Sequence, residues 1–255
     1  MSDRNHLQGR VALVTGSSRG IGTAIAATLA RAGAAVAVHG RDRHALAAVA
    51  EGLRRENARV VEVCGDITRA DDLETMRAVI EDALGPVDIL VANAGGDLRP
   101  PGPLETVGGE EWRAVVDGNL TATFLSLKTF LSGLKKSGNG AVVTMASAAA
   151  RRPTPQTPIA YAAAKAGIIA LTRVAAAQLG PFGIRVNCVA PEIILTERNQ
   201  SLIPQEIRIG LAKAHPLGRL GTPEDVAEAV LFLVGNQANW ISGTVVDVAG
   251  GAVFA

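Results

Sequence analysis

Short runs of β-branched and small apolar residues recur along the chain: VALVT (11–15), AVAVH (35–39), RVVEV (59–63), DILVA (88–92), AVVTMA (141–146), IRVNCV (184–189) and TVVDV (244–248). Most are apolar almost throughout, which marks strands buried on both faces rather than strands with one wet face. Between them lie Ala- and Leu-rich stretches near 19–31, 42–56, 69–84, 109–135, 158–180 and 223–234 that predict helices. Strands alternating with helices predict an α/β fold: a doubly wound, parallel, seven-stranded sheet with helices on both faces. Thr68 opens TRAD and Thr222 opens TPED, both Thr-x-x-Asp capping patterns, the second with Pro223 at the first helical position. No linker or composition break divides the chain, and no repeat of about 20–50 residues appears, so one domain over 1–255 is expected. The segment 190–221, rich in Pro, Gly and charge, reads as an irregular, mobile lid over a site.

Composition narrows the function. With 48% hydrophobic and 19% charged residues the chain has ample material for a core. A formal net charge of +1 gives no reason to expect nucleic acid or an anionic membrane as partner. Cys64 and Cys188 each lie in an apolar run, as buried thiols of a reducing compartment would, and cytoplasm is expected. The four histidines are scattered and no metal-ligand spacing occurs, so no metal is expected. The N-terminus MSDRNHLQGR lacks the apolar core of a signal peptide. No apolar run approaches the roughly 18 residues of a membrane span.

The first strand leads into a glycine loop. In VALVTGSSRGIGTAIA (11–26), Gly16 can make the tight turn, Gly20 can let backbone approach a phosphate, and Gly22 can allow close helix–sheet packing. The amides of the following helix would face a pyrophosphate. Ser18, Arg19 and Ile21 complete the expected contacts. The second strand of such folds normally ends in an acid for the ribose 2′-hydroxyl of NAD; here AVHGRD (37–42) offers Gly40 and Arg41. Arg41 and Arg19 can pair with a 2′-phosphate, so NADP(H) is expected over NAD(H), although Asp42 is close by. Asp66, with Ile67 beside it in CGDIT, is placed to accept from an adenine amino group; it reads equally as a turn acid before Thr68.

Tyr161 is the single tyrosine of the chain, and Lys165 follows four residues later in IAYAAAKAG (159–167). On a helix this spacing puts phenol and ammonium on one face. A cation beside a phenol favours the phenolate, which equips a tyrosine for acid–base work.

TGSSRGIG (15–22), ANAG (92–95), Ser147 and YAAAK (161–165) together resemble the short-chain dehydrogenase/reductase family, of the single-domain kind and similar to its 3-oxoacyl-carrier reductases. The resemblance runs from GRVALVTG to ISGTVVDVAGG (241–251). It implies a Rossmann fold in which Tyr161 is the general acid, Lys165 lowers its pKa and bonds the nicotinamide ribose, and Ser147 stabilises the developing alkoxide. Asn119 would hold a water that relays protons from Lys165. Asn93, Ala94 and Gly95 would line the adenosine side, and Pro191, the Ile194 backbone and the Thr196 hydroxyl would surround the carboxamide.

Three departures stand out. Ala146 replaces a second serine, the Ser147–Tyr161 interval of 14 residues is one longer than the commonest, and Pro191-Glu192 replaces Pro-Gly. The expected function is NADPH-dependent reduction of a ketone or 3-oxoacyl group of a small-molecule substrate. Alternatives are an NAD-dependent alcohol or sugar dehydrogenase and a non-catalytic NADP-binding sensor on the same fold. The pocket is expected from 96–104, 148–158 and 192–215. The family also implies a homotetramer through helices 109–135 and 158–180 and the last strand. Acyl carrier protein is not favoured as a partner, because Phe182 occupies a position that is often basic and Glu192 would repel it; Lys135, Lys136 and Arg173 could substitute.

Overall fold

The computed structural model describes residues 6–96 and 102–253. In chain order it has β1 (Val11–Val14), α1 (Gly20–Arg31), β2 (Ala35–Gly40), α2 (Arg43–Arg55), β3 (Val60–Cys64), α3 (Ala70–Ala83), β4 (Ile89–Ala92), α4 (Gly109–Val116) and α5 (Ala122–Ser137). Then follow β5 (Ala141–Met145), α6 (Ala148–Arg151), α7 (Ile159–Leu179), β6 (Arg185–Pro191), α8 (Glu197–Leu202), α9 (Gln205–Ala214), α10 (Pro223–Val234) and β7 (Val245–Val248). The strands form one parallel sheet in the order β3-β2-β1-β4-β5-β6-β7.

The burial of the strands explains their composition. In β1, Ala12 and Val14 join one core with Ile25 and Leu29 of α1, Leu46 of α2 and Val230 of α10. Val11 and Leu13 point the other way, into a core with Leu73 and Ile80 of α3, Phe130 and Leu134 of α5 and Leu179 of α7. Both strand faces are dry, so the period-2 pattern disappears. The strand order reverses between β1 and β4, and the carboxyl ends of the strands there define the crevice where such sheets bind ligands.

Four expectations need correction. The predicted helix 109–135 is α4 and α5 joined by a π-helical turn, Asp117–Thr121. Thr68 does not cap α3: Arg69 is the N-cap residue without a side-chain bond, and Thr68 instead closes a turn on Asp66. Segment 190–221 is not irregular, since it carries α8 and α9. The chain does contain a helix long and apolar enough to cross a membrane by length and composition, the 21-residue α7 and the turn after it. That helix packs against β5 and β6 with Ala164, Ile168 and Ala175 buried. Thr222, by contrast, makes the expected capping box with Asp225.

Candidate active site

The glycine loop and the turn after β4 interlock at the crevice. Gly16 turns the chain at φ +66°, and a Cβ there would sit 2.8 Å from Ala94 Cα; one at Gly22 would run into the Gly16 carbonyl. Asn93 Nδ2 donates to the carbonyls of Thr15 (2.9 Å) and Gly16 (3.2 Å), and the Ala94 amide donates to Thr15 Oγ1 (3.0 Å). Thus Gly16, Gly22, Asn93 and Ala94 meet at one point. Gly20 and Ile21 open α1, and Gly20 faces the Thr196 side chain.

At the end of β2, a Cβ at Gly40 would lie 2.9 Å from Ser18 Oγ, so Gly40 and the Ser18 side chain are in close contact. Gly40 thus stands where an acid would be expected of an NAD site, and a side chain there would have to displace Ser18. Arg41 is exposed beyond it. Asp42 is spent as the N-cap of α2, accepting from the amides of His44 and Ala45 at 3.1 Å each, and lies 3.5 Å from Arg19 Nη2. Asp66 accepts from Thr68 N (2.9 Å) and Thr68 Oγ1 (2.8 Å), and these bonds hold its carboxyl below the ordinary range. The turn-acid reading of Asp66 is thus realised; Ile67 beside it is buried.

The catalytic candidates gather at the end of β5. Lys165, on α7, is 3% exposed; its Nζ donates to the Met145 carbonyl at 2.8 Å and stands 5.5 Å from the Tyr161 ring centroid. Burial lowers the ammonium from 10.5 to about 8, since a charge out of water costs free energy and no carboxylate is partnered with it among the described residues. Ser147, two residues past β5, is the N-cap of α6 and accepts from the Ala149 amide at 3.2 Å. With that lone pair used, its O–H proton is left to donate into the cavity it lines.

Asn119 lies fully buried in the π turn, which accounts for an asparagine within a helical stretch. Its Oδ1 accepts from Gly96 N (2.9 Å), while Nδ2 donates to Gly96 O (3.0 Å) and Val115 O (2.8 Å). The side chain therefore clamps the loop after β4, with Gly95 against its amide oxygen. Leu120 packs against Gly167, bringing the π turn beside the Lys165 stretch of α7. Ile194 and Thr196 shape the chain before α8: Asn199 Nδ2 donates to Ile194 O at 2.7 Å, and Thr196 Oγ1 caps the Asn199 amide at 3.3 Å. Pro191 ends β6.

A cavity of about 290 Å³ adjoins Ser147, lined by Ala148, Ala149, Arg152, Thr154, Thr157, Glu192, Ile193 and Val253. The expected segments 148–158 and 192–215 both contribute; 97–101, in the third, lie outside the described residues. Val253 was not anticipated, because nothing in an apolar C-terminal run tells which wall it will reach.

Comparison with known proteins agrees with this arrangement. The family model described as enoyl-(acyl carrier protein) reductase matches residues 16–253. The chain belongs to the short-chain dehydrogenase/reductase family of oxidoreductases. Among members of that family, the chain is 36% identical to the (2S)-[(R)-hydroxy(phenyl)methyl]succinyl-CoA dehydrogenase subunit of Thauera aromatica, over 96% of this chain and 97% of that one. It is 38% identical to the cis-4-hydroxycyclohexanecarboxylate dehydrogenase of Sinomonas cyclohexanicum, over 95% and 96%. The crystal structure of a 3-oxoacyl-[acyl-carrier protein] reductase with bound NAD from Brucella melitensis superposes with a TM-score of 0.90, at 33% identity over 99% and 94% of the two chains.

Two groups of this short-chain dehydrogenase/reductase escaped the sequence reading. His39 is buried at the glycine loop, and His215 is buried behind Glu192. A histidine within the otherwise apolar AVAVHG run was the available signal for the first. The second is a His-Pro between two helices and carries none.

Proposed function

We propose that this oxidoreductase uses NADP(H) to reduce a ketone or 3-oxoacyl carbonyl to a secondary alcohol, with Tyr161 as general acid. The observation that carries the reading is the buried Lys165 ammonium, fixed on Met145 O and set against the Tyr161 ring, with Ser147 at the end of the same strand. The residues at the crevice fit a dinucleotide: the interlocked loop at Gly16, Gly22 and Ala94 leaves main chain, not side chains, at the phosphate position. Gly16, Ser18, Gly20 and Ile21 would hold the pyrophosphate; Asp66, Ile67, Asn93, Ala94 and Gly95 the adenosine; Pro191, Ile194 and Thr196 the carboxamide. Arg19 and Arg41 would take the 2′-phosphate. When bound, the cofactor supplies or accepts the hydride.

The chain's own residues do the rest. Ser147 donates its O–H proton to the substrate oxygen and so stabilises the negative charge that develops there. Tyr161 gives its phenolic proton to the same oxygen, or takes one in the oxidative direction. The Lys165 charge makes that phenol easier to deprotonate, and low dielectric around the buried ammonium strengthens the effect. Asn119 holds the loop after β4 in place and would position a water that returns a proton to Lys165. Free Cys64 and Cys188 support a reducing, cytoplasmic setting.

One observation favours the NAD reading: Asp42 draws Arg19 toward itself and away from a phosphate. Turnover with NADPH and NADH over a panel of ketones, aldehydes and 3-oxoacyl thioesters decides both cofactor and substrate class. In the same assay Tyr161→Phe should leave less than about a tenth of wild-type kcat, with cofactor binding nearly intact. A variant retaining more would mean that another group is the acid.

A further inference from the structure

His39 is the one polar side chain in β2, and its ring is 3% exposed. Both ring nitrogens are used. Nδ1 lies 3.0 Å from the Gly16 amide, and Nε2 lies 3.1 Å from the Gly65 carbonyl in the loop after β3. An amide N–H only donates and a carbonyl only accepts. The two partners therefore fix a neutral ring with Nδ1 bare and Nε2 protonated. The main chain adds to the junction: Ser17 N donates to His39 O at 2.8 Å, and His39 N donates to Ser17 Oγ at 2.8 Å. One residue thus ties the glycine loop to the loop carrying Asp66, across the adenosine side of the crevice.

A second proton on the ring has one place to go, Nδ1. There it would point an N–H at the Gly16 N–H, so the bond that fixes the turn of the glycine loop is lost. Burial already pushes the imidazole below its ordinary value, the largest effect; the Gly65 carbonyl and Asp66 work the other way, and Arg41 disfavours the cation. Of the other charges on the packed elements, Asp72 is turned to the Asp66 amide and Arg19 to Asp42.

We propose that His39 is a positioning residue for the cofactor loop, and that protonating it loosens Gly16, so that dinucleotide binding and ring protonation exclude one another. The inference rests on the reading that Gly16–Gly22 cradles the pyrophosphate. It makes affinity for the dinucleotide fall in mild acid, by at most about tenfold per pH unit for a single proton. Asp66 titrates well below this window, because Thr68 holds its carboxyl down.

The test is calorimetric titration of NAD+ and NADP+ into the wild type, His39→Asn and His39→Leu. NAD+ is the informative ligand, since it lacks the phosphate monoester that itself ionises near about pH 6. For the wild type, Kd should be flat near pH 7.5 and rise only as the pH falls below about 6.5, the ordinary imidazole value, because burial puts the midpoint of His39 lower still. Binding in the acid range where Kd rises should also release protons, seen as a dependence of the heat on the buffer's ionisation enthalpy. In His39→Asn an amide oxygen can still accept from Gly16 and cannot take a second proton; affinity at pH 7.5 should stay within about threefold of wild type and hold in acid. His39→Leu should bind about tenfold more weakly at pH 7.5 and in acid. A pH-independent wild-type Kd without proton release overturns the proposal, as does an Asn variant that keeps the acid loss or a Leu variant that binds like wild type. Proton release that is lost in His39→Asn supports the proposal, and release that persists in that variant overturns it. Failure of both dinucleotides to bind the wild type at pH 7.5 would overturn the cofactor reading and this inference together; binding that ignores pH overturns this inference alone.

Discussion

His215 Nε2 stands 3.6 Å from Glu192 Oε2, a buried carboxylate oxygen that takes no hydrogen bond among the described residues. The other ring nitrogen, Nδ1, donates to the Leu211 carbonyl at 2.8 Å, so Nε2 attracts Glu192 only when it carries a proton too. Glu192, next to the end of β6, thus faces His215 at the end of α9, and it also lines the cavity beside Ser147.

A small ketone should therefore be a better substrate than a 3-oxoacyl group on acyl carrier protein, whose acidic surface Glu192 repels. The comparison is kcat/KM for one 3-oxoacyl group on the carrier and on a short neutral thioester. A lower value for the carrier form is expected, with Glu192→Gly improving the carrier form more than the thioester. The feature that argues the other way is Lys135, whose Nζ lies 3.7 Å over the Phe182 ring and returns a cation to the position the sequence left apolar. A carrier advantage that falls with salt and disappears in Lys135→Glu would refute the prediction.

NADPH should be preferred to NADH by about a hundredfold in kcat/KM, since charge-assisted bonds contribute about 1.5–3 kcal/mol each. Arg41→Ala should lower the NADPH value by roughly tenfold and leave the NADH value nearly unchanged. A preference that survives Arg41→Ala combined with Arg19→Ala would remove both arginines from the account.

Lys165→Met should abolish turnover and raise stability. Burial lowers the ammonium from 10.5 to about 8, which corresponds to a cost on the order of 3 kcal/mol at neutral pH. Below about pH 8 both folded and unfolded chains hold the proton, and the cost is fully present. From there to about 10.5 the folded protein sheds its proton first, so wild-type stability from this group rises with pH. Allowing for the lost bond to Met145 O, the variant should gain roughly 2 kcal/mol at pH 7. That gain should shrink by about pH 9.5 as the wild type recovers. Urea unfolding at the two pH values measures it, and a variant no more stable than wild type at pH 7 contradicts the argument.

The protein should be a homotetramer. Phe124 on α5 and Val174 on α7 are 46% and 55% exposed, apolar groups on the two helices through which the family pairs. Light scattering at micromolar concentration should give four chains, and Phe124→Glu with Val174→Glu should give smaller species. A monomeric wild type would end the proposal.

The strands were legible because burial on both faces leaves near-continuous apolar runs, and β1 to β7 lie within about two residues of the runs that predict them. Tyr161 and Lys165 were legible because helical spacing alone brings them together. Groups that meet through tertiary packing were not. His39 finds Gly16 and Gly65 from 23 and 26 residues away, and His215 reaches Glu192 across α8 and α9. Thr68 misled because its hydroxyl donates to Asp66 instead of accepting from an amide of the helix's first turn. Helices α8 and α9 were hidden by prolines that mark their edges rather than forbid them: Pro204 directly precedes α9.

The π turn at Asp117–Thr121 makes chain length, as well as residue type, decide where the Asn119 side chain points. A π turn winds more residues into a loop of helix than an α turn does, so losing one residue here would let α4 and α5 fuse into a regular helix. Each residue of an α-helix advances the direction of its side chain by about 100°. Deleting Gly118 would remove the extra residue while α4 and α5 keep their packing, and the Asn119 side chain, redirected within the regular helix, would lose its bonds to Gly96 and Val115. Point substitutions in 109–137 test single contacts, whereas a one-residue deletion tests the phase of the whole rod. In this region the chain should tolerate changes of letter far better than changes of count.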